Sequence, residues 1–167
     1  MSSTFVAILM GSDSDLPAMQ ATISVLKAFG IEHEVRVRSA HRTPDAAKAY
    51  VKDAEERGCK VFICAAGLAA HLAGAVAGMT TRPVIGVPID NGPLQGHDAL
   101  LSTVMMPGGI PVATVAIGKA GAKNAGYLAA QILGVADQSI AEKVKEERAA
   151  NVIALLAKDE AMQEKLG

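Results

Sequence analysis

The feature that most constrains the fold is a repeated alternation of short apolar segments with segments of helical periodicity. Each apolar segment is five to eight residues long and leads through a loop into a helical pattern. Short strands joined by helices form a parallel sheet with helices on both faces. The predicted strands are Thr4–Met10, Ile31–Arg38, Val61–Ala65, Pro83–Val87 and Val112–Ile117.

The second of these strands differs from the others because its apolar and polar residues alternate strictly. Ile31, His33, Val35 and Val37 share one face, and charged residues occupy the other. A strand with one solvent-exposed face is expected at the edge of a sheet. The favoured strand order is therefore 2-1-3-4-5, which predicts a three-layer αβα, flavodoxin-like domain of the α/β class over residues 1–135.

Helical periodicity follows the strands and continues beyond the fifth repeat. Thr43 and Asp98 are predicted to cap two of the helices. Residues 136–167 are predicted as a helical tail in which Val152-Ile153 and Leu155-Leu156 form an apolar patch that needs cover. Another subunit or the chain's own domain could supply it, and we favour a subunit. The helices inside the repeats are predicted at Leu16–Phe29, Pro44–Arg57, a short segment ending near Met79, Asp98–Met105 and Gly121–Leu133.

Charge and hydropathy exclude two classes of partner. A net charge of −1 offers no electrostatic footprint for nucleic acid, and no apolar run approaches the roughly 18–20 residues of a membrane span. The first ten residues lack the charged start of a signal peptide. Cys59 and Cys64 are too far apart on an extended strand to pair, so we read both as reduced thiols. We therefore expect a cytoplasmic protein without nucleic acid or membrane partners.

Three loops follow the carboxyl ends of neighbouring predicted strands, at residues 11–15, 38–43 and 65–71. In this topology the three loops converge, and ligands bind at that edge of the sheet. The first loop offers backbone amides, Ser12 and Ser14 to a phosphate at a helix N-terminus. Carboxylates beside a phosphate repel it, so at least one of Asp13 and Asp15 should face another group, for which ribose hydroxyls are the obvious donors. Simple helix capping by the same residues is the competing interpretation.

The second loop places Ser39, His41 and Arg42 side by side. An imidazole transfers protons near neutral pH, and a guanidinium can grip a phosphate. His41 could act as a general acid–base, as a metal ligand or only as a hydrogen-bond donor. His71 is its only plausible partner as a metal ligand, so we expect no metal site.

The third loop, Ala65–His71, carries almost no side chains beyond methyl groups. Such a loop leaves a small hollow lined by backbone N–H groups, which suits a carboxylate or carbon dioxide. Tight packing of a helix on a strand would explain the same composition.

These motifs resemble a known family, the class I 5-(carboxyamino)imidazole ribonucleotide mutases of purine biosynthesis. The resemblance covers about residues 4–135 and is carried most specifically by Ser-Ala-His-Arg-Thr-Pro at 39–44. It is supported by Gly-Ser-x-Ser-Asp at 11–15, Ala-Ala-His-Leu at 69–72, Pro-Val-Ala-Thr-Val-Ala-Ile-Gly at 111–118 and Ala-Gly-Ala-x-Asn-Ala at 120–125.

The resemblance implies a flavodoxin-like homo-octamer with no metal or organic cofactor. It implies a ribonucleotide substrate whose carboxylate moves from an exocyclic nitrogen to ring carbon four. His41 then resembles the general acid–base and Asp15 the ribose contact. The implied phosphate contacts are Ser14, Ser39 and Arg42, and the implied walls around the carboxylate are Ser12, Gly67, Ala70 and His71.

The sequence departs from the family pattern in four places. Leu68 replaces a Gly, Ala73 a Pro and Met105 a common Gln, and the 88–97 loop is unusual. Leu68 could narrow the carboxylate pocket or point away from it. The 88–97 loop could be a lid over the ligand or a subunit contact.

Two other functions compete with the mutase. One is a related carboxylase that uses aminoimidazole ribonucleotide and free carbon dioxide, a class with Lys at the position of Arg42. The other is a non-catalytic flavodoxin-like nucleotide-binding or receiver module, which Asp13, Asp15 and Lys119 imitate weakly.

Overall fold

A five-stranded parallel sheet forms the centre of the molecule, in the order β2-β1-β3-β4-β5. The structure is a computed structural model and describes residues 4–167. The strands are β1 Phe5–Met10, β2 His33–Val37, β3 Cys59–Gly67, β4 Val84–Ile89 and β5 Ala113–Thr114. The strand order and the edge position of β2 confirm the predicted topology.

Helices follow each strand, as the helical periodicity predicts. A 3-10 turn at Asp13–Asp15 precedes the first of them. The helices are α1 Leu16–Ala28, α2 Pro44–Arg57, α3 Leu72–Ala77, α4 His97–Val104, α5 Gly118–Gly134 and α6 Gln138–Leu166. The last residues form a single long helix, which confirms the helical extension.

The core lies on both faces of the sheet because the inner strands β1, β3 and β4 are predominantly apolar and buried. All six residues of β1 are buried, and so are all six of β4. One core cluster joins alternate strand residues such as Leu9 and Phe62 to Tyr50 and Val51 of α2 and to Leu72 of α3. Thr22 of α1 donates to the carbonyl of Ala122 in α5, so these two helices also contact each other.

Local contacts change the roles of the two predicted caps and the length of the fifth strand. Thr43 occupies the N-cap position of α2, as predicted, but its side chain makes no capping bond. Its Oγ1 instead accepts from the amide of Ser39 at 2.9 Å. Asp98 lies inside the first turn of α4, which begins after Gly96 at φ +84°. The fifth strand is only two residues long, whereas its apolar segment predicted six.

Register places the carboxyl ends of three strands side by side. Met10 of β1 pairs with Val37 of β2 and with Ala65 of β3. Gly67 of β3 pairs with Ile89 of β4, so the fourth strand ends at the same edge. The loops that follow these strands are therefore neighbours.

The described chain forms two compact units. The first ends at Ala129, and the second is Ala130–Gly167. In the second unit, Asp137 caps α6 by accepting from the amides of Ser139 and Ile140. Side chains from residue 149 to the end of α6 are exposed. No helix in residues 4–167 has both the length and the apolarity needed to cross a bilayer.

Candidate active site

A cavity of about 620 Å³ opens at the carboxyl edge of the sheet, where the loops after β1, β2 and β3 meet. The loop after β4 also contributes to its wall. Eight of its lining residues belong to the loops after β1 and β2, and the other seven come from segment 66–72 and the loop after β4. The lining residues are Gly11, Ser12, Ser14, Asp15, Ser39, Ala40, His41, Arg42, Ala66, Gly67, Leu68, Ala69, His71, Leu72 and Asn91.

The two histidines of the predicted site contact each other across this cavity. Nε2 of His41 lies 2.8 Å from Nδ1 of His71, and their rings meet edge to face with centroids 4.9 Å apart. One of the two nitrogens must therefore carry the shared proton and the other must accept it. The pair links the turn after β2 to the start of α3, and it can hold a proton at the cavity wall.

The turn after β2 fixes Arg42 beside the end of β1. The Arg42 amide donates to Oγ of Ser39 at 3.0 Å, and Nη2 of Arg42 donates to the carbonyl of Gly11 at 2.9 Å. Oγ1 of Thr43 lies within hydrogen-bond distance of both the amide and the carbonyl of Ser39. These local bonds hold the guanidinium in place and leave its other N–H groups for a ligand.

Two serine hydroxyls mark the loop after β1. Oγ of Ser12 accepts from the amide of Ser14 at 3.3 Å and from its hydroxyl at 2.9 Å. The Ser12 hydroxyl in turn lies 3.2 Å from Oδ1 of Asp13. Ser12 therefore caps the 3-10 turn, as the capping interpretation predicts, and Ser12 and Ser14 also line the cavity.

Asp15 is a buried carboxylate, only 2% exposed, at the floor of the same loop. Its Oδ2 accepts from the amide of Ser12 at 3.1 Å, and its Oδ1 accepts from Nδ2 of Asn91 at 3.1 Å. Burial raises the pKa of Asp15 above its ordinary value, while the hydrogen bonds from Ser12 and Asn91 oppose that rise.

Asn91 is a site residue that the sequence analysis missed. It lies in the 88–97 loop, for which a lid and a subunit contact were both left open. The signal that could have found it is topological, because β4 ends at the same edge of the sheet as β3. Asn91 lines the cavity and contacts Asp15, so this loop takes part in the wall.

The small-residue loop after β3 divides between the cavity and the core. Gly67 lines the cavity, and a Cβ at this position would lie 3.0 Å from the Asn91 Cβ. Leu68 also lines the cavity, and its Cδ2 lies next to Gly92 of the 88–97 loop. Ala70, which the resemblance implies as a wall, is instead 1% exposed and lies outside the lining, with its amide donating to Oγ of Ser102.

The remaining candidate groups lie elsewhere. Nδ1 of His33 lies 2.9 Å from the Ile31 carbonyl, and Nδ1 of His97 lies 3.0 Å from the Leu94 carbonyl. Cys59 and Cys64 are buried free thiols, and burial raises the pKa of Cys59 to about 11. Among residues 4–167, no three His, Cys, Asp or Glu side chains are grouped so that they could hold a metal ion.

Comparison with known proteins extends the resemblance in sequence to nearly the whole chain. A family model described as AIR carboxylase matches residues 5–152. An N5-carboxyaminoimidazole ribonucleotide mutase of Thermotoga maritima is 58% identical over 84% of this chain and 81% of that protein. A protein of the same name from Bacillus subtilis is 54% identical over 86% of this chain and 88% of that protein.

A solved structure shares the fold as well. The crystal structure of Treponema denticola PurE superposes with a TM-score of 0.85 at 34% identity, over 95% of this chain and 98% of that one. The family model and the similar proteins each span most of the chain. The chain therefore belongs to the AIR carboxylase family.

Proposed function

We propose that the protein is an N5-carboxyaminoimidazole ribonucleotide mutase, an isomerase of purine biosynthesis. The reaction moves the carboxylate of 5-(carboxyamino)imidazole ribonucleotide from the exocyclic nitrogen to ring carbon four. The observation that carries this proposal is the His41–His71 contact at 2.8 Å, which opens on a cavity also lined by Arg42 and the small-residue loop. The relatives at 58% and 54% identity bear the name of this activity.

The substrate's phosphate is proposed to bind between the loops after β1 and β2. Ser14, Ser39 and Arg42 all line the cavity there, and the guanidinium is already fixed by its bond to Gly11. A fixed fork of N–H donors binds phosphate oxygens with little loss of side-chain entropy. Asp15 is proposed to accept from a ribose hydroxyl, using the lone pairs that Ser12 and Asn91 do not occupy.

The reaction requires a general acid that protonates the exocyclic nitrogen and a general base that takes the proton from ring carbon four. When the bond from the exocyclic nitrogen to the carboxyl carbon breaks, its electron pair stays on nitrogen, which takes a proton from the His41 imidazolium. Ring carbon four then attacks the released carbon dioxide, and the ring proton at that carbon returns to His41. An imidazole near neutral pH suits both transfers, and His71 is within reach to share the proton between them.

Carbon dioxide is neutral and must be held between the two steps. The wall formed by Ala66, Gly67 and Ala69 offers methyl groups and backbone amides rather than long polar side chains. Exclusion of water from such a pocket favours recarboxylation over escape of the gas. No step in this sequence calls for a metal or an organic cofactor, as the family resemblance implies.

Substitution of His41 tests the proposal. We expect the wild-type protein to convert 5-(carboxyamino)imidazole ribonucleotide. The conversion is measured with a label on the substrate carboxylate, as the rate at which labelled starting compound disappears. His41→Asn should lower turnover by about 10²–10⁴-fold, the usual contribution of a general acid–base, while the ribonucleotide still binds. His33→Asn, which changes a histidine outside the cavity, is the control. Near-normal turnover by His41→Asn contradicts the proposed role.

The carboxylase is distinguished from the mutase by the source of carbon. Aminoimidazole ribonucleotide supplied with a low concentration of bicarbonate should be carboxylated poorly if the mutase proposal is right. Robust carboxylation under those conditions would replace it with the carboxylase. Phosphoryl transfer to Asp13 or Asp15, detected as a mass shift, would instead support a receiver module.

We also propose that the chain self-associates, as a homo-octamer by family resemblance, through its tail. Val152, Ile153, Leu155 and Leu156 are all more than half exposed on α6. Such a cluster of large apolar side chains favours burial against another protein surface. We propose residues 1–135 as the catalytic domain and residues 136–167 as its interfacial extension. We propose the cytoplasm as the compartment, because the buried thiols Cys59 and Cys64 stay reduced there.

A further inference from the structure

Leu68 adopts a backbone conformation that L-residues with large side chains rarely take. Its φ is +56°, in the left-handed region, and its side chain is 53% exposed. Within residues 4–167, the only other non-glycine residue with a positive φ is Gln95, in the 88–97 loop. Strain of this kind persists where the surrounding structure enforces it, and it concentrates at functional sites. An exposed apolar side chain held in a strained turn therefore needs an explanation.

Helix α4 fixes the backbone around Leu68. Oγ of Ser102 accepts from the amide of Ala70 at 2.9 Å and lies 3.4 Å from the carbonyl oxygen of Leu68. Ser102 is itself tied to α4, because its hydroxyl lies 2.6 Å from the carbonyl oxygen of Asp98. Ser102 thus anchors the turn from the Leu68 carbonyl to the Ala70 amide, directly after the end of β3 at Gly67.

That side chain packs directly on the 88–97 loop. A Cβ added to Gly92 would lie 2.6 Å from Cδ2 of Leu68, so a methyl group there would force the Leu68 side chain to shift. Gly92 also has φ +94°, which favours glycine independently. One residue earlier in each segment the packing is also close, since a Cβ on Gly67 would lie 3.0 Å from the Asn91 Cβ. The segments 67–68 and 91–92 therefore fit together as one wall.

The contact has a consequence for the carboxylate at the cavity floor. Asn91 packs beside Gly67 and donates from Nδ2 to Oδ1 of Asp15. Leu68 and Asn91 both line the cavity. We propose that Leu68 is a positioning residue that holds the 88–97 loop in place through Gly92, and so keeps Asn91 on Asp15 and the ribonucleotide site closed on that side. This inference rests on the proposed function for its effect on catalysis, but not for the contact itself.

Four variants separate the contact from folding. Leu68→Gly removes the side chain and relaxes the strained φ, so loss of the contact is not confounded by added strain. Leu68→Met keeps an apolar chain of similar length at the same φ and serves as the conservative control. Gly92→Ala places a methyl group against Leu68. The double variant Leu68→Gly/Gly92→Ala carries the same methyl group but lacks the Leu68 side chain with which it would clash.

Two readouts test the proposal. In Leu68→Gly, hydrogen exchange of the amides of residues 90–96 should accelerate, and KM for the ribonucleotide should rise by about tenfold with a smaller change in kcat, as for a lost contact between neighbours. Leu68→Met should stay close to the wild type in both. Gly92→Ala should raise KM more in the wild-type background than in Leu68→Gly, because only the former contains the steric conflict.

The outcomes distinguish this inference from the proposed function. If exchange at residues 90–96 is unchanged in Leu68→Gly, Leu68 does not hold the loop and the inference is wrong. If exchange accelerates but KM is unchanged, the loop does not position the site and the inference is equally wrong. If the wild type shows no mutase turnover, the proposed function fails, and exchange together with the binding constant for aminoimidazole ribonucleotide still decides the role of Leu68.

Discussion

Asp15 is a carboxylate that the fold buries at the wall of the cavity. A carboxylate is expensive to bury, and this one is compensated by one backbone amide and one side-chain amide. Burial still dominates and raises its pKa above 3.8. The folded protein therefore binds the Asp15 proton more tightly than the unfolded chain does.

This shift predicts a pH-dependent stability difference between the wild type and Asp15→Asn. The raised folded pKa favours the native state most strongly below pH 3.8, and that advantage is lost as pH rises through the folded value. The stability of the wild type relative to Asp15→Asn should therefore fall over this interval and stay constant above it. Urea unfolding at a series of pH values measures it. A stability difference that rises with pH would contradict the expected sign.

Arg42 predicts a binding defect with little effect on folding. Its guanidinium lines the cavity and makes one bond to the Gly11 carbonyl. Arg42→Ala should weaken binding of the phosphorylated substrate by about 1.5–3 kcal/mol, the contribution of a hydrogen bond to a charged group. Titration calorimetry with the ribonucleotide measures this change. Arg36→Ala removes an exposed arginine of β2 outside the cavity and should leave the dissociation constant unchanged; equal effects of the two substitutions would refute the phosphate role.

At the scale of elements, close packing of α5 against the preceding turn gives a prediction about stability. A Cβ on Gly121 would overlap the carbonyl group of Ala116, which is backbone and cannot move aside easily. Gly121→Ala should therefore destabilise the fold by about 1–3 kcal/mol, as overpacking does. Gly108 has no atom within 4 Å of its would-be Cβ. Gly108→Ala should change stability by less than about 0.5 kcal/mol, and chemical unfolding of both variants compares them.

The strands differed from one another in how closely the sequence predicted their bounds. The strands β1 and β4 were predicted to within a few residues because both faces are covered and both must be apolar. The fifth apolar segment yielded only Ala113–Thr114 as strand, since pairing with β4 is confined to Ile85 and Gly86. Apolar composition reports burial, whereas strand length depends on a neighbouring strand that offers hydrogen-bond partners.

At the scale of the whole molecule, the tail determines the expected assembly. Leu155 is 69% exposed, and Val152 and Leu156 lie close by on the same helix. Leu155→Lys combined with Val152→Lys should shift sedimenting protein at micromolar concentration from a large assembly toward smaller species, because burying a lysine without a partner is costly. Ala154→Lys, on the same exposed helix, is the control. A wild-type chain that sediments as a monomer would refute the proposed self-association.

The sequence by itself determined the topology, because one alternating strand among buried ones leaves few orders for a parallel sheet, and it grouped the loops that carry His41, Arg42 and Asp15. Tertiary structure alone decided the contacts between loops: the His41–His71 pair, Asn91 on Asp15, Leu68 over Gly92 and the withdrawal of Ala70 into the core. The physical reason is the sequence separation over which each kind of interaction acts. Periodicity and local turn chemistry act over a few residues, whereas these contacts join positions 24 to 76 residues apart and form only when the register of the sheet brings the strand ends together.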